Sequence, residues 1–204
     1  MYPFERFSQN AKVVLTMAQQ EAELQRHTWI GTEHLLLGLI RNEDGVSGRV
    51  LKDLGIDLAA ARTAITGLLQ GRQAPLQDIV PTSRVKRVIE LAFDEARNAN
   101  SNFVGTGHLL IALLAEGHGI GAQMLKEKGV TVDKARAEIA RLEATGLKET
   151  AGSREAPPMP MRQLDLKDEF GNPIKVVIIF PMHYSEQQCS DLAARIQKAV
   201  EEPR

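Results

Sequence analysis

The chain has 204 residues, 43% of them hydrophobic, a formal net charge of -1 and a single cysteine. That is enough apolar material for one or two small domains with a buried core, and the balanced charge gives no overall pull toward nucleic acid or an anionic membrane surface. No apolar run approaches the roughly 20 residues that span a bilayer, Met1-Tyr2-Pro3-Phe4-Glu5-Arg6-Phe7 lacks a signal-peptide pattern, and Cys189 alone forms no internal disulfide. A cytoplasmic location is therefore the default expectation, with no nucleic-acid or membrane partner.

From Ser8 to about Gln25, the apolar residues Ala11, Val14, Leu15, Ala18 and Ala22 recur at helical spacing, with Ser8 placed as an N-cap. After a short turn Gly31 lets the backbone bend, and Thr32 is positioned to cap a second helix carrying Leu35, Leu36, Leu39 and Ile40. That helix is apolar nearly all round, so it belongs at the centre of a core. Arg41 to Gly45 reads as a loop and Val46 to Leu54 as a short helix stopped by Gly55 in a C′ role. Asp57 then caps a fourth helix running to about Gln70.

The phrase Trp29-Ile30-Gly31-Thr32-Glu33-His34-Leu35-Leu36-Leu37-Gly38-Leu39-Ile40 returns as Phe103-Val104-Gly105-Thr106-Gly107-His108-Leu109-Leu110-Ile111-Ala112-Leu113-Leu114, offset by 74 residues. The offset holds without a gap from Ser8 and Thr82 through Glu21 and Glu95 to Arg62 and Arg136. This is an internal duplication. Cap-type residues recur at matched starts, Asp57 answering Thr131, and Pro81 sets the approach to the fifth helix after a linker at Gly71 to Asp78. The expected fold is mainly α. It is an eight-helix bundle of two tandem four-helix repeats, about 4–71 and 78–145, related by a pseudo-two-fold axis. The bundle forms a domain over 1–145 and ends near Ala144.

Residues 146–161 read as an extended linker containing Pro157, Pro158 and Pro160. Residues 162–204 read as a small ββα element. Arg162 to Lys167 alternates in polarity, Phe170 to Pro173 forms a turn, Ile174 to Phe180 is β-rich, and Ser185 caps a helix with Leu192, Ile196 and Val200 on one face. Such a piece has too little core to stand alone. It either packs on the bundle or pairs its strand with another chain, which would give a homodimer.

The residues Ile30 to Ile40, the Phe4-Glu5-Arg6-Phe7 before them and the Leu51-Lys52-Asp53-Leu54-Gly55-Ile56 after them resemble the Clp N-terminal domain, in both copies, over roughly residues 2 to 145. The ClpC-type branch is the nearest likeness. The resemblance implies a double four-helix module that receives substrates and adaptors for an AAA+ unfoldase, and in the ClpC-type branch also binds phosphorylated arginine as a degradation mark. No phosphate loop of the form G-x-x-x-x-G-K-S/T occurs, and residues 146–204 do not look like the unfoldase. The chain is not expected to hydrolyse ATP by itself or to need a cofactor.

Phosphoarginine needs a carboxylate for its guanidinium and N–H groups or cations for its phosphate. At the second helix start the resemblance implies Glu33 for the first role, with Thr32 and the first-turn N–H groups for the second. The competing reading is that Thr32 caps and Glu33 complements the helix dipole, worth about 0.3 to 1 kcal/mol. In the second copy Thr106 is kept, but Gly107 stands where the family has another Glu, so at most one complete pocket is expected, near Glu33. Phe4, Lys12 and Lys86 lie where the family makes a substrate- and peptide-binding surface between repeats, although Val80-Pro81 replaces its Pro-Phe. The alternative has Phe4 and Phe7 fastening the N-terminus to the core and the lysines solvated.

His34 and His108 sit at matched positions without metal-ligand spacing, so each is read as a core histidine bonded to backbone, and no metal is expected. Trp29 and Phe103 read as core. Cys189 lacks the surroundings of a nucleophile, and no catalytic constellation appears. The leading reading is a non-enzymatic protein-binding module of the Clp protease system, with a Clp unfoldase or its adaptors and substrate proteins, arginine-phosphorylated ones among them, as partners. The alternative is a structural or regulatory protein acting through C-terminal β-pairing.

Overall fold

A computed structural model describes residues 4–69, 80–150, 161–167 and 173–179. The chain divides into two units, Met1–Arg154 and Glu155–Arg204. In the first, a 3-10 turn at Phe4–Arg6 precedes α1 (Gln9–Leu24), β1 (Trp29–Ile30), α2 (Thr32–Arg41), α3 (Val46–Asp53) and α4 (Leu58–Leu68). The second copy repeats the order as β2 (Val80–Pro81), α5 (Ser83–Asn98), α6 (Thr106–Glu116), α7 (Ile120–Glu127) and α8 (Val132–Ala144). The eight helices expected from the duplication are all present among the described residues.

Four of the helix starts carry the side-chain caps that the sequence placed there. Ser8 accepts from Ala11 N–H at 3.0 Å and Asp57 from Ala60 N–H at 2.8 Å, while Thr82 and Thr131 each accept at 3.3 Å from the residue three further on. The ends match as well. Gly55 and Gly129 adopt φ of 77° and 71°, and Ile56 N–H and Val130 N–H reach back to Leu51 and Leu125 carbonyls at 2.8 and 2.9 Å, closing a Schellman motif in each repeat.

The starts of α2 and α6 depart from expectation. Gly31 and Gly105, not Thr32 and Thr106, are the N-cap residues, and neither threonine hydroxyl caps its own helix. Instead His34 and His108, three residues inside, accept from the cap N–H of Gly31 and Gly105, each at 2.9 Å. A cap must stand before the first helical residue with extended backbone, and glycine has that place here at φ -95° and -93°.

Helices α2 and α6 form the centre. Leu35, Leu36, Leu37 and Leu39 of α2, and Leu109, Leu110 and Leu113 of α6, are fully buried. Helix α1 covers α2 and α5 covers α6. The first pair approaches so closely that a Cβ on Gly38 would stand 2.6 Å from the Val14 carbonyl oxygen. In the second copy Ala112 takes that position and is itself buried.

The repeats are interlocked. Strand β1 pairs in parallel with β2, Thr82 N–H donating to Ile30 carbonyl at 3.0 Å. The matched bridge joins Phe7 to Val104, with Ser8 N–H donating to Val104 carbonyl at 2.8 Å. The segment leading into the first helix of each copy thus runs beside the strand that leads into the central helix of the other. Pro81 fits because its neighbours Val80 and Thr82 supply the donors of that side. Across the same symmetry α7 packs on α2 and α3 on α6.

In the second unit β3 (Met161–Lys167) pairs antiparallel with β4 (Pro173–Ile179), from Met161 opposite Ile179 to Lys167 opposite Pro173. This is the expected hairpin, with Pro173 at the start of the strand. The turn at 168–172 and the helix expected after Ser185 lie outside the described residues.

Candidate functional site

Two matched clusters form where a central helix start meets the short helix of the other repeat. In the first, α2 meets α7. The Thr32 hydroxyl accepts from Gly121 N–H at 3.4 Å, and a Cβ on Gly121 would lie 2.4 Å from the Thr32 carbonyl oxygen, so glycine is what lets the two helices meet. In the second, α6 meets α3 and the Thr106 hydroxyl accepts from Ser47 N–H at 3.0 Å. The two expected caps are therefore cross-repeat ties. Each brings two positive helix ends onto one spot, and first-turn N–H groups attract anions there.

A carboxylate occupies each spot. In the first cluster it is Glu33, which is 4% exposed and lies against Gly31. Its oxygens take the Thr32 hydroxyl at 3.4 Å and stand 3.7 Å from His34 Nδ1. In the second cluster the place of Glu33 is held by Gly107, which has no side chain to offer. There the carboxylate comes from Glu149, beyond the end of α8. It accepts from Val46 N–H at 3.0 Å, Thr106 N–H at 2.8 Å and the Ser8 hydroxyl at 2.6 Å, and closely from the Thr106 hydroxyl. One of its oxygens would stand 2.7 Å from a Cβ on Gly105, the place Glu33 takes beside Gly31.

The histidines behind these clusters are structural. His34 Nδ1 accepts from Gly31 N–H, so its Nε2 carries the proton and donates to His27 Nδ1 at 2.9 Å. Burial, followed by the nearby His27, lowers the His34 pKa to about 3, so the ring is neutral. His108 is lowered by burial too, against the opposing pull of Glu149, Glu143 and Glu95. Both are bonded to backbone as the sequence indicated, but only His34 is a core residue, since His108 is half-buried and lines a cavity. Among the described residues no group of three or more His, Cys, Asp or Glu side chains converges as a metal site would require.

The remaining candidates are scattered. Lys12 is fully buried and partnered, whereas the matched Lys86 is exposed, so the two lysines do not share one surface. Phe4 opens the 3-10 turn, and its side chain lies outside the described residues. Phe7 is buried, edge-on to Phe93 with ring centroids 5.3 Å apart, which does fasten the N-terminal segment to the core. Trp29 and Phe103, expected in the core, are half-buried. Trp29 stacks on His27 at 4.6 Å. Phe103 lines a cavity of about 820 Å³ with Ile111, Ile139, Arg136, Lys148 and Glu149.

Glu149 is the residue of these clusters that sequence reasoning missed. It falls in a stretch whose composition reads as linker, and its partners are 141, 103 and 43 residues away. The one available signal was indirect. Gly107 leaves a helix start without the carboxylate that its twin possesses.

A duplicated all-α domain, with paired helix starts that each hold an anion at the seam of the repeats, defines a repeat-built module. The chain belongs to the Clp repeat N-terminal domain family, whose model matches residues 6–78 and 80–164. It is 41% identical over 150 residues to the negative regulator of genetic competence ClpC/MecB of Bacillus subtilis, covering 74% of this chain and 18% of that protein. It is 38% identical over 152 residues to the chaperone protein ClpB of Oceanobacillus iheyensis, with the same coverage. The chain thus spans about a fifth of the length of these relatives. The crystal structure of the N-terminal domain of the ClpD chaperone from Arabidopsis thaliana superposes with a TM-score of 0.58 at 26% identity, covering 69% of this chain and 99% of that one. Among the described residues no helix is long and apolar enough to cross a membrane.

Proposed function

We propose that the chain is a non-enzymatic, cytoplasmic protein-binding module of the Clp system, which presents substrates or adaptors to a Clp unfoldase and reads phosphorylated arginine at Glu33. The observation that carries this reading is the buried Glu33 carboxylate lying over the start of α2, where α7 also begins. Among the described residues the carboxylate there holds only the Thr32 hydroxyl, at 3.4 Å, so a phosphate can take that hydroxyl and the first-turn N–H groups of the helix start in its place. The displaced carboxylate then turns outward to take the guanidinium in a paired hydrogen bond. Both parts of the ligand are matched by one side-chain rotation.

Calorimetric titration of free phosphoarginine into the wild-type protein and into Glu33→Ala tests it. The expected result is about one equivalent bound by the wild type and none by the variant. Equal heats from both, or none from either, would overturn the reading. A second reading rests on the β3–β4 hairpin, whose two strands leave two sheet edges without a partner strand among the described residues. In that reading the chain is a structural or regulatory protein, and residues 162–204 associate by β-pairing. Deleting residues 150–204 separates the two, because the first predicts retained partner binding and the second predicts its loss.

A further inference from the structure

We propose that the junction of α3 and α6 is a binding site for a glutamate-bearing peptide segment, and that Glu149 with its neighbours is the internal ligand that keeps it closed. The donors come from separate parts of the chain: Val46 N–H at the start of α3, Thr106 N–H and hydroxyl at the start of α6, and the Ser8 hydroxyl. All of them donate, and a carboxylate is the side chain that only accepts. The site is therefore built for an anion, and this chain supplies one from outside the repeat.

The way Glu149 arrives indicates that it is displaceable. The chain turns at Gly146, with φ 96°. Leu147 N–H returns to the Leu142 carbonyl at 3.1 Å, and the Leu147 side chain is half-buried against the core. Thr150 is already exposed. A strap of about four residues, anchored by one apolar side chain and one carboxylate, is what opposes an external ligand. Beside it lies the cavity lined by Phe103, Ile111, Ile139 and Lys148. A partner segment that placed a glutamate on the donors could lay its apolar neighbours there, in the order Leu147 and Glu149 already follow.

The twin position supplies an internal control. A Cβ added at Gly107 would meet Ile139 Cδ1 at 3.4 Å and Val46 Cγ1 at 3.5 Å, ordinary contacts. Gly107→Glu would thus carry a carboxylate on α6 itself, as Glu33 does on α2. It should close the site whatever the strap does.

The test uses the full chain and a synthetic peptide of its residues 144–150, titrated by fluorescence anisotropy. A tethered ligand acts at an effective concentration of roughly millimolar. The Glu149→Ala protein should therefore bind the peptide about tenfold or more tightly than the wild type. Adding Gly107→Glu to that variant should abolish binding, and a peptide with glutamine in place of its glutamate should not bind. Equal affinity of wild type and Glu149→Ala, or equal binding of the glutamine peptide, overturns the proposal. So does a Glu149→Ala protein that binds free phosphoarginine but not the peptide. Should Glu149→Ala fold poorly, Glu149→Gln keeps the side-chain volume and carries the same comparison. The inference is independent of the reading at Glu33, since Glu33→Ala should leave peptide affinity in the Glu149→Ala background unchanged.

Discussion

Glu21 and Glu95 occupy the same place in the two repeats, and truncating each to alanine should have very different consequences. Glu21 is 1% exposed, with one oxygen on Arg41 at 2.8 Å and on Arg62 at 2.5 Å and the other on Arg62 Nε at 3.0 Å, so it joins α1, α2 and α4. The Arg41 side chain is only 9% exposed, whereas that of Arg62 is 42% exposed. Removing one partner of a buried pair costs about 3 to 5 kcal/mol, because the other charge is left uncompensated. Arg62 can rehydrate and Gln20 still accepts from Arg41 at 3.2 Å, which puts Glu21→Ala near the lower bound, about 3 kcal/mol.

In the second copy Ala115 replaces the second arginine, and Glu95 keeps Arg136 alone, at 2.8 Å with side-chain exposures of 23% and 54%. That pair is screened by solvent and is worth about 0 to 1 kcal/mol. Thermal unfolding followed by circular dichroism should therefore show Glu21→Ala lowering Tm by roughly 6 to 12 °C and Glu95→Ala by less than about 4 °C. Equal shifts would refute the reasoning, since they would mean that sequence position rather than burial sets the strength of the tie.

His34 and Gly38 give two further expectations. The unfolded chain takes up a proton on His34 near pH 6.5, but the folded ring resists until about pH 3. Stability is therefore full above pH 6.5 and falls with decreasing pH, by about 2 kcal/mol at pH 5. Urea denaturation at both pH values checks the loss, and a His34 ring resonance titrating near 6.5 in the folded protein would contradict it. Gly38→Ala places a methyl against the Val14 carbonyl and Ala18 N, at 2.6 and 3.0 Å. It should cost about 1 to 3 kcal/mol despite the better helix propensity of alanine, read as a lower urea midpoint. Reverting Ala112→Gly in the second copy tests whether the closer approach is particular to the first.

The duplication, the eight helices and half of their N-caps were legible in the chain because they depend on local rules. Ser8, Asp57, Thr82 and Thr131 each bond within three residues of themselves, and Gly55 and Gly129 answer to the backbone angle of one residue. A fixed offset multiplies such signals, since each is seen twice. What sequence determined, then, was the repeat, the central place of α2 and α6, and the family. Tertiary structure decided where the polar atoms of the repeated phrase point. Thr32 and Thr106 looked like caps but tie the repeats together, because interlocking brings another helix's first turn to their hydroxyls. Lys12 and Lys86 look equivalent at an offset of 74, yet one is buried and the other exposed. Glu149 is the extreme case. Its carboxylate fills a seat more than forty residues away, chosen by donor geometry and electrostatics that no local pattern encodes.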